Sequence, residues 1–153
     1  MEISSNNYLD FAKNDYMFFK TAYDTGNKGG TLTIVGQNIC QCYIKHIISE
    51  YSEPENRQEM DTKESVLRTH SLNRLMHYCV DYMNLSIPEE LENALILADS
   101  YYFTSRYPGE DSFIPTERDV EKVNTAVELT REYTLQVCRE FDFIEQDMEQ
   151  ETE

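Results

Sequence analysis

Bulky residues recur at steps of three and four along most of this chain, the spacing that places them on one face of a helix. Between Tyr8 and Tyr23 the stripe is Ala12, Tyr16, Phe19 and Tyr23, and TGNKGG ends it. From about Thr31 to Tyr51, Leu32, Val35, Ile39, Cys42 or Tyr43, and Ile47 make the inner stripe of a second helix, which the pattern predicts to be central and most buried. EYSEPENRQEMDTKES then has charges, a proline and no apolar period, so it reads as a mobile connection.

A third helix is predicted from THSL, where Thr69 or Ser71 can accept a hydrogen bond from open backbone amides, with Leu72, Leu75, Met76, Cys79 and Met83 on one side. SIPEEL opens a fourth. Pro88 suits a first helical position, and Glu89 and Glu90 lie at the positive end of the helix dipole. Leu91, Ala94, Leu95, Ala98 and Tyr102 continue its stripe until Arg106-Tyr107-Pro108 breaks it. A fifth begins at PTERD with Thr116 as cap and carries Val120, Val123, Val127, Thr130, Thr134, Val137 and Phe141.

From Arg139 onward seven acids face one arginine, which predicts a frayed, solvated tail over 142–153 behind a helical domain over 1–141. The expected fold is all-α, an up-and-down bundle of four or five helices.

Composition narrows the function. With 13 Lys and Arg against 29 Asp and Glu, the net charge is −16, which repels nucleic-acid phosphates and disfavours broad RNA or DNA binding. No apolar run is long enough to cross a membrane and no basic-then-apolar leader begins the chain, so the expected compartment is the cytoplasm. Cys40, Cys42, Cys79 and Cys138 lie inside helical patterns and read as reduced core thiols.

Few residues stand out as chemistry. His70 and His77 share a helix face but have no third group converging from spacing, and Cys42 with His46 is one pair of possible metal ligands without a second. All four read as structural, and no metal or cofactor is expected. Tyr101, Tyr102, Phe103 and Tyr107 read as packing or interface residues, because a base-stacking platform needs cations along the backbone and here Arg106 is nearly alone among Asp99, Glu110 and Asp111. Lys28-Gly29-Gly30 lacks the strand and longer glycine spacing of a phosphate loop.

GQNICQCYIKHIIS, RTHSLNRLMHYC and IPEELENALILADSYYFTSRYP, in that order, resemble the HEPN domain, the higher eukaryotes and prokaryotes nucleotide-binding helical bundle. The likeness extends from about Tyr8 to Phe141. It implies a four- or five-helix bundle, usually a homodimer, often encoded beside a small nucleotidyltransferase in bacteria. Many members are metal-independent ribonucleases whose signature is an arginine followed, after four to six residues, by a histidine.

Arg106 matches that arginine by context, whereas the histidine positions hold Asp111, Ser112 and Phe113. Cleavage through the RNA 2′-hydroxyl is helped by a proton acceptor and a cation, and this stretch retains only the cation. The resemblance therefore implies a regulatory homodimer, partner of a nucleotidyltransferase in a toxin–antitoxin-like pair, with a degenerate ribonuclease motif. Arg106 and Tyr107 are the candidate contacts to a phosphate, nucleotide or partner. The alternatives are a ribonuclease using Arg106 with an unconventional base, and a non-catalytic nucleotide-binding module.

Overall fold

The computed structural model describes residues 7–104, 108–109 and 112–152, with side chains described up to Met148. In chain order the helices are α1 (Tyr8–Asp24), α2 (Thr31–Tyr51), α3 (Arg57–Leu67), α4 (Leu72–Asp81), α5 (Glu89–Asp99), the single turn α6 (Tyr101–Thr104) and α7 (Glu117–Thr152), and the described residues contain no strand. The chain is all-α, as its periodicity implies.

Contacts between helices fix their directions. Tyr16 meets Glu128 and Lys20 meets Asn124, so α1 runs antiparallel to α7. Cys40 meets Thr130 and Tyr51 meets Phe141, so α2 runs parallel to it. Tyr133 reaches the Ser86 carbonyl while Tyr101 reaches Asp119, which makes α5 and α6 antiparallel to α7. Gln37 meets His70 and Ser52 meets Tyr78, so α4 follows α2. Thus α2, α4 and α7 run one way and α1, α5 and α6 the other.

More of α2 is buried than of any other helix, and Leu32, Ile39, Tyr43 and Ile47 are all within the core. Gly36 makes this possible. A Cβ there would collide with Val123 Cγ1 and lie 3.1 Å from Phe19 Cε2, so the glycine lets α1, α2 and α7 approach closely. Val35 and Cys42, expected on the inner stripe, are half-buried at its edge.

Three boundaries differ from the sequence pattern. Residues 57–67, expected as a mobile connection, form α3: Asn56 caps it by accepting from the Glu59 amide at 2.9 Å, and Val66 is its buried anchor. One buried residue in three turns leaves no apolar period to detect. On α6 the inward ring is Tyr101, with Tyr102 half-buried, because the turn after Asp99 rotates the stripe by one residue. Finally, α7 runs on past Phe141 to Thr152, with Phe143 and Ile144 exposed along it.

Capping elsewhere follows the sequence. Ser71 accepts from the Arg74 amide at the start of α4. At the start of α7 the Thr116 hydroxyl and the Asp119 carboxylate accept from one another's amides, a capping box with Asp in the reciprocal position. Pro88 stands one residue outside α5 as its N-cap. Cys40, Cys42, Cys79 and Cys138 are free thiols, and burial pushes Cys40 and Cys79 up to about 12, which keeps them protonated and unreactive at neutral pH. No helix among the described residues is long and apolar enough to cross a membrane.

Candidate functional site

Polar side chains inside a helical core need partners. Thr33, Gln37 and Gln41 recur every fourth residue on α2, so they form a buried polar row in the most apolar helix of the bundle. The row ends at the start of α4. Gln37 Nε2 donates to the His70 carbonyl at 2.9 Å, Gln41 Nε2 donates to Gln37 Oε1, and Gln41 Oε1 lies 3.3 Å from His70 Nδ1.

This closed ring fixes which atom donates at each step. The His70 carbonyl only accepts, so the Gln37 amide nitrogen must face it and the Gln37 oxygen must face Gln41. Gln41 then presents its own nitrogen to Gln37 and its oxygen to His70. The imidazole must therefore carry its hydrogen on Nδ1, which makes Nε2 the acceptor nitrogen of the neutral ring. Turning either amide over would set like groups against one another.

The ring face of His70 lies on Tyr102, with centroids 4.3 Å apart and planes within 11°. Asp99, at the end of α5, holds the adjoining backbone: its carboxylate accepts from the Leu72 amide at 2.7 Å, the Asn73 amide at 3.3 Å and the Ser71 hydroxyl at 3.2 Å. A carboxylate suits the positive end of α4. His70 is thus an exposed imidazole met by Gln41 of α2 and by Tyr102 of α6 across its face, on a chain segment whose next three residues Asp99 of α5 anchors. Beside it Asp15, Phe18, Ile34, Val35, Asn38 and Tyr102 line an open groove of about 310 Å³. Phe18 and Phe103 are 62% and 68% exposed, so this corner presents unusually apolar surface.

The residues singled out from sequence divide. Arg106, Tyr107 and Asp111 lie outside the described residues. Of the other two positions where a histidine would follow the arginine, Ser112 closes a turn with Gly109, and Phe113 donates its amide to the Thr104 carbonyl and sets its ring edge-on to Tyr101. Tyr101 is a core residue, whose hydroxyl donates to Asp119 at 2.6 Å. Gly30, read as part of a simple loop, starts α2 where a Cβ would meet the Pro115 carbonyl oxygen at 2.8 Å, so that helix start is covered by chain. His77 is exposed on the outer side of α4, away from His70. His46 is half-buried edge-on to Tyr51, and burial lowers its pKa. Among the described residues no three His, Cys, Asp or Glu side chains converge on one point as metal ligands would.

The family model of the HEPN domain matches residues 60–137, half of the chain, a stretch that contains His70, Asp99 and Tyr102. This chain belongs to the HEPN domain family. No curated protein and no solved structure matches it. The HEPN match begins within α3, so α1 and α2, including the Gln37–Gln41 pair that orients His70, lie outside the matched stretch. The sequence pattern assigns His70 a structural role because no third group converges on it from spacing, and its actual partners lie 29 and 33 residues away. The available signal was the pair of amides four apart on the buried face of α2: side chains of that kind must be satisfied by something.

Proposed function

We propose that this HEPN chain works as a homodimeric interaction module, the regulatory partner of a nucleotidyltransferase in a toxin–antitoxin-like pair. The observation that carries the reading is the apolar corner formed by Phe18, Ile34, Tyr102 and Phe103, where aromatic rings are exposed beside a groove instead of buried in the bundle. Surfaces of this kind mark protein contacts. The −16 charge and the absence of a histidine after Arg106 act in the same direction, since both weaken capture and cleavage of RNA.

Sedimentation of the parent at tens of micromolar should give a dimer, with Phe18→Ser and Phe103→Ser shifting it to monomer. A parent that sediments as a monomer refutes the pairing. Where a small nucleotidyltransferase is encoded beside this chain, reconstitution of the two should give a stable complex, and failure to bind would refute the partnership separately.

One observation favours a second reading, the ribonuclease. The Tyr102 ring that carries His70 belongs to the segment leading into Arg106, and His70 Nε2 is the nitrogen able to take a proton. In that reading the missing histidine is supplied from the start of α4, with Arg106 stabilising charge on the phosphate. RNA cleavage by the parent that is lost in both His70→Ala and Arg106→Ala would establish this reading over the first.

A further inference from the structure

At the opposite end of the bundle from His70, the end of α2, the start of α3, the end of α4 and the last turns of α7 line an open cavity of about 400 Å³. That is within the size range of small-molecule sites, roughly 300–1,000 Å³. Two stacked ring pairs line it: Tyr51 on Phe141, 4.5 Å apart, and Tyr78 on Tyr82, 4.9 Å apart. Met83 and Ile144 complete the apolar wall.

The charged lining has one sign. Glu50 and Glu53 come from the end of α2 and the turn after it, Glu59 from α3 and Glu145 from α7, and among the described residues no Lys, Arg or His lines the cavity. None of the four is ion-paired among the described residues. Lys63 of α3 is occupied by the Ser49 and Ser52 carbonyls at 3.3 and 2.7 Å, where it caps the end of α2. Glu59 also accepts from the Glu55 amide at 2.7 Å, which holds that side chain at the rim.

Carboxylates spread around aromatic and thioether walls suit a particular ligand. A metal ion needs oxygens that converge, which these do not. A chain of methylenes bearing several ammonium groups instead offers charge to each carboxylate and apolar length to the walls between, with rings attracting ammonium through their negative faces. We infer that this cavity binds a short aliphatic polyamine. The inference is independent of the reading of the His70 corner.

Titration calorimetry with spermidine tests it. The parent should bind one equivalent. Tyr82→Leu, at a position 57% exposed, should weaken binding by roughly two- to thirtyfold, the range of a cation–π contact. Glu53→Gln with Glu145→Gln should weaken it further, whereas the same loss of charge at the exposed positions Glu89 and Glu117 should leave it nearly unchanged. Thermal melts of each variant check that it is folded. Equal weakening by the two charge-removal pairs would overturn the proposal in favour of attraction to the acidic surface as a whole. Magnesium competing as well as spermidine, or a capped lysine amide binding as tightly, would overturn it too.

Discussion

Gly36→Ala is expected to destabilise the bundle although alanine is the better helix former. In an exposed helix the exchange gains about 0.8–1 kcal/mol. Here the added methyl collides with Val123 Cγ1 and comes within 3.1 Å of Phe19 and 3.2 Å of Val127. Carbon atoms attract at about 3.5–4.0 Å, so all three contacts are repulsive at the parent geometry. Val123 and Val127 are short, branched and stiff at χ1, and neither can swing aside as a longer side chain would. Overpacking of this kind costs about 1–3 kcal/mol, and three simultaneous contacts place the site at the upper end. The net loss is therefore about 2 kcal/mol, or roughly 4–8 °C in melting temperature for a chain of this size. Circular dichroism at 222 nm during heating measures it, with Gly29→Ala as the control, because a Cβ there meets only Asn27 Oδ1 at 3.6 Å. Val123→Ala added to Gly36→Ala should recover part of the loss. A Gly36→Ala protein melting at or above the parent would refute the close approach of α2 and α7.

Three further outcomes are expected. Tyr101, first, and the Thr116 amide hold the Asp119 carboxyl below its ordinary value, so this group stabilises the fold above its unfolded pKa of about 4 and loses that effect as pH falls through the folded one. Tyr101→Phe should raise the Asp119 titration seen by carboxyl NMR and lower the melting temperature at pH 7 more than at pH 3; a pH-independent difference would contradict this. Gln37→Leu and Gln41→Leu should each cost about 1–3 kcal/mol by leaving a buried partner unpaired, and the double variant should cost less than their sum; strict additivity in chemical denaturation would refute the closed ring. Truncation after Phe141 should change the melting temperature by less than about 4 °C, because Phe143, Ile144 and Met148 are all more than half exposed; a larger drop would place residues 142–153 within the folded unit.

What sequence reading reached, and what it missed, has one physical origin. Helices that bury a full stripe announce themselves: α2, α4, α5 and α7 appear where Leu, Ile and Val recur, and Thr116 caps where a hydroxyl precedes the run. Elements held by few buried atoms do not. In α3 only Val66 is buried, so propensity and the Asn56 cap maintain a helix that has almost no hydrophobic pattern. The candidate site was harder still, because it is made between segments. Neither Gln37, Gln41 nor His70 looks unusual in its own stretch, and only the crossing of α2 with the start of α4 makes them partners. Periodicity reports which face turns inward, not which residue across the core it meets.

The ring of hydrogen bonds between α2 and His70 also bears on how many structures this sequence could adopt. Apolar faces of two helices tolerate sliding by a turn, since one aliphatic knob fills another's hole nearly as well. Two amides and an imidazole do not tolerate it: a shift of α4 by one turn along α2 would strand both glutamines in hydrocarbon. Leucines at both positions would preserve the bulk of the core while removing the penalty on misaligned packings. The ring thus sets the register between α2 and α4, and selects one arrangement among several that hydrophobic burial alone would leave close in energy.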